Sequence, residues 1–413
     1  MANTLKFGAG NWATKEGSTL AYNDENGNFK PLPFDFTRAS SATVVNKDGL
    51  IETVENGIPR IDFLDNTKGA LLLEPSSTNL LTYSEDLTQG ITNRLLITSN
   101  TNSSPDGTNT ADKLIPNNTN STYHYFAFSS LTIATNNVYS VFLKKAEYEY
   151  ALISFETSGS SGSSDKALIN LNNGTIEQSD TETKVKDYGN GWYRCSIKAT
   201  SAMTSVVIYP LPSASLGSFT GDNTSGIFAW GLQLEQQSYP TSYIPTQGSA
   251  ATRVADVCNN GGNQQVINST EGVLYAEMSA LSDDLTNRRI TISDNSTSNR
   301  IVLGFADASN TILALVGSSG TQFISTIAIS DTKVNNKLAL KYKQNDFALW
   351  INGFEAATDT SGNTPTGLST LKIQGSTGFS NFYGKTKQLQ YFDSVLADTQ
   401  LEQLTSWLSF RDM

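Results

Sequence analysis

The sequence contains little of what many enzymes and metal-binding proteins use. Its 413 residues include two cysteines, Cys195 and Cys258, and one histidine, His124. Two cysteines cannot build a disulfide framework, and a single histidine excludes a histidine-rich zinc site and the HExxH motif. A Ser-His-Asp triad would depend on His124, whose place between Tyr123 and Tyr125 predicts a structural position in a sheet. No Walker A or GxGxxG sequence occurs, so nothing supports nucleotide binding.

Charged residues are also scarce, at 16% of the chain against about 25% in an average globular protein. The balance is acidic, since 28 Lys and Arg stand against 39 Asp and Glu, for a net charge of −11. A phosphate-binding surface needs clustered basic residues, so we expect no nucleic acid partner. The longest apolar runs, such as 70–73 and 312–316, are too short to cross a bilayer, so we expect no membrane insertion. The start, MANTLKFGAGNW, is a poor signal peptide.

The chain is instead rich in neutral polar residues and aromatics, with 19 Phe, 16 Tyr and 5 Trp. Short segments alternate apolar and polar residues between Asn-Gly and Asp-Gly turns, which predicts antiparallel β-structure. In 226–237 the alternation predicts a core face formed by Phe228, Trp230, Leu232 and Leu234, with Gln233 facing solvent. In 336–343 it predicts an inward face formed by Leu338, Leu340 and Tyr342. A capping pattern from Thr399 to Glu402 predicts one short helix near the C-terminus, with Leu401, Leu404 and Leu408 on one face. The predicted class is all-β.

The turn signals and a Gly- and Asn-rich stretch divide the chain into parts. Residues 1–78 form an irregular N-terminal region, and 79–257 have the strand and turn spacing of a jelly-roll sandwich. Residues 258–271 read as a linker, and 272–413 as a second β-sandwich followed by the helix.

Three segments of the middle region carry a family resemblance: DYGNGWYRCSIKA at 187–199, GIFAWGLQLEQ at 226–236 and SYIPTQGSAATRVAD at 242–256. They resemble the carbohydrate-binding-like jelly roll of bacteriophage head-fibre and tail-fibre proteins, and RASSATVVNKDGLIE at 38–52 resembles the segment that precedes it there. The resemblance implies a virion protein, made in the host cytoplasm without a signal peptide, whose N-terminal region attaches to a capsid or tail protein. It also implies a homotrimer that contacts host-surface glycans.

The last region has a likeness of its own. FALWINGFEAATDTSG at 347–362 and GKTKQLQYFDSVLADTQLEQL at 384–404 are similar to concanavalin-like domains of the laminin-G type. Such domains often bind glycans or calcium, although a fold alone does not establish a function.

Sugar binding needs aromatic platforms for the pyranose ring and polar groups for its hydroxyls. The candidates for glycan binding are Tyr148, Tyr150, Trp192, Tyr193, Gln233, Trp350, Asn352 and Tyr383. Core packing is a competing explanation for the tryptophans, because they lie among apolar neighbours. Similar jelly rolls often carry a structural calcium ion, for which Asp256 and Glu85 are the candidate ligands. No other cofactor is expected.

Catalysis has less support than binding. A glucanase needs two carboxylates that flank the scissile bond, and the nearest candidates are Glu147 and Glu149, which share a strand face and read as solvated. We therefore expect no enzyme. The alternatives are a depolymerase that cuts polysaccharide and a decorative head protein without a ligand.

Overall fold

The structure is a computed structural model that describes residues 5–10, 12–15, 19–23, 29–121, 123–157 and 165–407. It is almost entirely β, as the alternation predicts. Two compact units are present. The first unit comprises residues 1–41, 54–75 and 254–413, and the second unit comprises 42–53 and 76–253. The predicted N-terminal region, 1–78, therefore forms no unit of its own but is divided between the two.

The described residues form thirty-five strands, β1 to β35 in chain order. Strands β1 to β9 are Leu5–Gly8, Trp12–Lys15, Thr19–Asn23, Phe29–Thr37, Ala42–Val45, Ile51–Val54, Arg60–Asp62, Ala70–Leu73 and Ser77–Asn79. Strands β10 to β24 are Ile91–Asn93, Leu95–Asn102, Ala111–Pro116, Asn120–Ser121, Tyr125–Phe128, Val138–Lys145, Tyr150–Glu156, Lys166–Asn170, Thr175–Ser179, Thr183–Asp187, Tyr193–Lys198, Ser205–Leu211, Phe219–Thr220, Ile227–Glu235 and Ala251–Arg253. Strands β25 to β35 are Val257–Asn259, Glu271–Ala280, Arg288–Ser293, Asn299–Phe305, Thr311–Ser318, Thr321–Ala328, Asn336–Lys343, Asp346–Ile351, Phe354–Asp359, Thr370–Lys372 and Gly384–Phe392. A 3-10 helix spans Leu87–Gln89, and the helix α1 spans Asp398–Thr405.

The second unit is a sandwich of two six-stranded antiparallel sheets. Their strand orders are β10-β14-β21-β16-β17-β18 and β11-β12-β23-β15-β20-β19. Apolar side chains from both sheets form one buried cluster, which includes Val141, Ile153, Ile197 and Ile208. Antiparallel sheets that each bury one apolar face are stable when packed in this way.

Strand β23 departs from the alternation expected for it. Ala229, Leu232 and Leu234 lie in the core, whereas Trp230 lies outside that cluster and packs against Phe142, with ring centroids 5.4 Å apart. The pairing register with β15 shifts at this point, and Gly231 has a φ of +63°. A β-bulge therefore reverses the phase of the strand, so the predicted core face is wrong before Gly231 and correct after it.

The first unit is a sandwich of an eight-stranded and a five-stranded sheet, with a further four-stranded sheet, β2-β3-β4-β25. The large sheet has the order β33-β32-β31-β26-β35-β8-β7, and β1 also pairs with β35. The smaller sheet has the order β30-β29-β28-β27-β34. The buried cluster between them includes Leu338, Leu340 and Tyr342, as the alternation predicts.

Strands from the N-terminal region complete the large sheet. Leu5–Gly8 pairs with the second half of β35, Leu71–Leu73 pairs with its start, and β7 follows on the outside of β8. Part of the predicted N-terminal region, 1–78, is thus built into the C-terminal sandwich. Local patterns could not reveal this, because the pairing partners are far apart in the chain.

Helix α1 covers part of the outer face of the large sheet. It begins after Ala397, not at Thr399, because the Gln400 side chain accepts a hydrogen bond from the Ala397 N–H at 3.0 Å. Leu401 is buried with Tyr275 and Trp350 of the sheet, and residue 408 lies outside the described residues. In the part of the chain that the structure describes, no helix has the length and hydropathy needed to span a membrane.

The bulge in β23 gives a test of local geometry. We expect Gly231→Ala to lower the free energy of unfolding by about 1–3 kcal/mol, because a side chain at positive φ is strained. A Cβ there would also lie 2.9 Å from the Phe142 ring. Gly189→Ala is the control, since Gly189 has a φ of +78° and open space around it. Equal losses in urea denaturation of the two variants would contradict the packing explanation.

Candidate functional site

A groove of about 420 Å³ lies on the outer face of the large sheet in the first unit. It occupies the part of that face beside helix α1. Its lining residues are Ala9, Asp65, Asn66, Thr67, Lys68, Glu277, Lys337, Lys387, Gln388 and Trp407. The groove therefore combines an aromatic ring with amides, carboxylates and ammonium groups.

The floor of the groove is a row of polar residues across three neighbouring strands. Glu277 of β26 pairs with Lys337 of β31 on one side and with Gln388 of β35 on the other. These residues share the outer face because their strand neighbours Ala276, Leu338 and Leu389 point into the core. The register of β26 with β35 shifts after Glu277, and Lys387 at this irregularity places its Nζ 2.9 Å from the Glu277 carboxylate.

One wall of the groove is the indole of Trp407, which follows α1. The Lys337 Nζ lies 4.4 Å from the centroid of the Trp407 ring and donates a hydrogen bond to the Ser406 carbonyl at 2.9 Å. An ammonium group over an indole face is attracted by the ring quadrupole. Lys337 therefore links the floor to this wall and holds the ring beside the groove.

The opposite wall is the turn between β7 and β8. The Asn66 Oδ1 accepts a hydrogen bond from the Lys68 N–H at 3.0 Å, and the Asn66 carbonyl accepts one from the Gly69 N–H at 3.0 Å. This turn presents Asp65, Thr67 and Lys68 to solvent. Its bonds fix the backbone, so the polar side chains start from defined positions.

The groove has the groups that a sugar requires. An aromatic ring can pack against the C–H groups of a pyranose, while carboxylate, amide and ammonium groups can bond its hydroxyls. None of Glu277, Lys337, Lys387, Gln388 or Trp407 was among the candidates from the sequence. The one available signal was a carboxylate, Glu277, inside the otherwise apolar strand GVLYAEMS.

Two candidates of the second unit are buried. The Trp192 side chain is 2% exposed, and its Nε1 donates to the Ser103 carbonyl at 2.9 Å. Gln233 was expected to face solvent but is 0% exposed, and its Oε1 accepts from the Ile244 N–H at 2.6 Å. Both side chains are thus occupied inside the unit, and neither is placed to contact a sugar.

The three tyrosine candidates of the second unit are half-buried. The Tyr148 ring packs edge-on against Phe219, with centroids 6.0 Å apart. Tyr150 packs with an apolar cluster on the outer face of its sheet. A Cβ on Gly174 would lie 2.6 Å from the Tyr193 ring, so this ring lies directly on the turn at Gly174. Each keeps an exposed portion, but they remain predictions as sugar contacts.

The three glycan-binding candidates of the first unit make contacts within the unit itself. Trp350 lies in the cluster beneath helix α1 and is 7% exposed. The Asn352 Oδ1 accepts from the Lys337 N–H at 2.8 Å and so shapes the turn after β32. The Tyr383 hydroxyl accepts from the Asn381 side chain at 2.7 Å. Trp407, not Trp350, is the tryptophan that lines the groove.

Asp256 does not fit the predicted calcium site. Its Oδ1 accepts from Arg38 at 3.1 Å, and its Oδ2 accepts from Arg60 at 2.5 Å and from the Glu74 N–H at 2.8 Å. Both oxygens are engaged, and two buried guanidinium groups would repel a cation. Arg60 also pairs with Glu74 at 2.6 Å, so Asp256 belongs to a buried ion-pair network.

Glu85, the second predicted calcium ligand, belongs to the second unit. Its Oε1 accepts from the Tyr243 hydroxyl at 2.8 Å. Burial raises the pKa of Glu85, the Tyr243 bond lowers it, and the nearby charge of Asp106 raises it again, with a net upward shift. Among the described residues, no three His, Cys, Asp or Glu side chains come together as a metal site.

Comparison of the sequence with protein-family models and with curated proteins finds no match. Solved structures give weak similarities. The Ruminococcus gnavus IT-sialidase CBM40 is 17% identical with a TM-score of 0.31, over 36% of this chain and 93% of that chain. Domains LG4-5 of the mouse laminin alpha1 chain are 13% identical with a TM-score of 0.24, over 72% and 90%. Trypanosoma rangeli sialidase in complex with sialic acid is 9% identical with a TM-score of 0.29, over 94% and 65%. At such low identities and TM-scores, none of the three assigns a function to this chain.

The ion-pair network predicts a large effect of a small change. We expect Asp256→Asn to lower the free energy of unfolding by about 3–5 kcal/mol, because it leaves buried guanidinium charge uncompensated. Asp307→Asn, at an exposed turn of the same unit, is the control and should change little. We also expect millimolar calcium to leave the melting temperature of the wild type unchanged. A calcium-dependent rise in the melting temperature that is lost in Asp256→Asn would instead support the predicted calcium site.

The raised pKa of Glu85 predicts that the stability difference between Glu85→Gln and the wild type depends on pH. A carboxyl whose pKa is higher in the folded chain loses its proton more readily on unfolding, so it destabilises the fold as pH rises above the ordinary value of 4.5. Glu85→Gln keeps an acceptor for Tyr243 but removes the charge. We expect this variant to be more stable than the wild type at pH 7 and equal to it near pH 3. Glu149→Gln, at an exposed position, is the control. A stability gain for Glu85→Gln that does not depend on pH would show that the charge of Glu85 is not its cause.

Proposed function

We propose that this chain is a glycan-binding protein of a virus particle, of the bacteriophage head-fibre or tail-fibre type, and that it binds glycans without cleaving them. The binding site is the groove of the first unit. The observation that carries the proposal is the indole of Trp407, held by Lys337 at the end of the row of Lys337, Glu277 and Gln388. The ring can pack against the C–H groups of a sugar, while the row of polar groups can bond its hydroxyls.

The ion pair of the carboxylate on the groove floor favours binding without cleavage. Glycoside hydrolysis needs a protonated carboxylic acid and a second carboxylate on either side of the bond. Glu277 forms an ion pair with the Lys387 ammonium at 2.9 Å, so its carboxylate already has a partner inside the groove. The depolymerase remains the alternative, which release of oligosaccharide would favour.

The virion part of the proposal rests on the sequence resemblance of residues 38–52 and 187–256. It includes attachment to a capsid or tail protein through the N-terminal region and assembly as a homotrimer, which would increase the avidity of weak sugar sites. A decorative head protein without a ligand is the other alternative, which normal particle incorporation without any glycan binding would favour.

The groove predicts the effect of removing one ring. We expect Trp407→Ala to weaken binding of the full-length protein to its best glycan on an array by about tenfold or more, the usual cost of losing an aromatic anchor. Phe379→Ala removes a ring that is 78% exposed elsewhere in the first unit and should leave binding unchanged. Mass spectrometry of the incubated glycan should show no shortened product.

Two results would contradict this proposal. Equal binding by wild type and Trp407→Ala would remove the groove as the site. Release of oligosaccharides by the wild type, if it is lost in Glu277→Gln, would support the depolymerase alternative instead of a protein that only binds glycans.

A further inference from the structure

The outer face of the five-stranded sheet in the first unit gathers basic side chains. The inner face of this sheet contributes Ile290, Ile292 and Leu371 to the core. Alternation along the strands therefore places Arg289 of β27 and Lys372 of β34 on the outer face. The same rule places Arg300 of β28 there, since its neighbour Ile301 is in the core, and the three cations come from three adjacent strands.

The pairing register places hydroxyl groups among these cations. Lys372 lies opposite Thr291, and Arg300 lies opposite Ser293 and Gly317. The Arg300 side chain extends over Gly317, because a Cβ at Gly317 would lie 3.4 Å from the Arg300 Cγ. A glycine at this position leaves room for the arginine to lie across the face.

The cations of this face have neutral partners. Lys372 Nζ donates to the Ser376 carbonyl at 2.8 Å, and Arg289 Nη2 donates to the Asn287 Oδ1 at 3.4 Å. Within the described ranges, no carboxylate forms an ion pair with Arg289, Arg300 or Lys372. Burial lowers the pKa of Arg300 and the charge of Arg289 lowers it further, while burial lowers the pKa of Lys372. Like charges are thus held together without compensation, which is unfavourable unless an anion binds.

Buried hydroxyl groups on the same face also lack partners. Thr291 is 0% and Thr370 is 6% exposed, and their Oγ1 atoms have no hydrogen-bond partner among the described residues. The same is true of the Nε atoms of Arg289 and Arg300. Buried polar atoms are normally bonded, so the unbonded Nε atoms leave the guanidinium groups of Arg289 and Arg300 short of acceptors.

We propose that this face is a second binding site, which takes an anionic glycan bearing sulfate or carboxylate groups. The guanidinium groups of Arg289 and Arg300 are suited to oxyanions by their paired N–H donors. The site lies on the sheet opposite the groove and does not depend on the groove as a sugar site. Nucleic acid fits less well, because the apolar members of this face are aliphatic, Val302, Leu313 and Leu315, and cannot stack on bases.

The test compares full-length wild type with Arg289→Gln/Arg300→Gln. The control, Lys333→Gln/Lys343→Gln, removes the same charge from exposed lysines of the first unit. The probes are a heparin-derived octasaccharide, an oligogalacturonate of similar length, a neutral dextran oligosaccharide and single-stranded DNA, each titrated by calorimetry. We expect the wild type to bind the sulfated or the uronate probe, the double variant to bind it about tenfold or more weakly, and the control to stay within about twofold of wild type.

Arg300→Gln alone provides a variant that should fold, because it relieves repulsion between two guanidinium groups. We expect an unchanged or higher melting temperature together with reduced affinity, whereas a merely structural role of Arg300 would lower the melting temperature and leave affinity unchanged. The proposal is overturned if the double variant binds as the control does, if neutral and anionic probes bind equally, or if DNA binds as tightly as the anionic glycans. Trp407→Ala should not affect the anionic probes, so failure of the groove and failure of this site are distinguishable.

Discussion

Pairing at strand β35 is the interaction on which the rest of the first unit depends. One edge of β35 is paired with β26, and the other is shared between β1 and β8, which come from the opposite end of the chain. This arrangement converts an exposed strand edge into a sheet interior. It also brings Ala9 and the turn after β7 to the rim of the groove, so the site is assembled from both ends of the sequence.

The buried ion-pair network acts on the same unit. Asp256 joins Arg38 and Arg60, and Arg60 joins Glu74, so four distant parts of the chain meet at one carboxylate. A buried network of this kind contributes specificity more than stability when all its members are bonded. In this unit it joins Arg38 and Arg60 of the N-terminal segments to Asp256.

Local patterns predict the fold class and much of the core. Alternation identifies Leu338 and Leu340 as inward-facing because a regular strand preserves its phase. It fails before Gly231, where the bulge reverses the phase of β23. Gln233 lies on the predicted outer face, but it is buried because the segment 241–244 bonds its side-chain amide, and no local pattern reveals that segment. The contribution of β1, β7 and β8 to the large sheet was also beyond local prediction, because it depends on long-range pairing.

The candidate site was predictable only in kind. Aromatics and amides were expected to bind sugar, but choosing among them requires knowing which rings are buried in the core. Trp192 and Trp350 are buried, while Trp407 is held at the surface by Lys337, a neighbour in space and not in sequence. The cations of the smaller sheet were also missed, because Arg289, Arg300 and Lys372 come together only when three strands align.

The most direct measurement of glycan binding at the groove is hydrogen exchange of the full-length protein, with and without its best glycan. The groove predicts slower exchange in the turn 65–68 and around residues 387–388 of β35, from one wall and the floor at once. Protection confined to the second unit, with the groove unchanged, would contradict the proposed site.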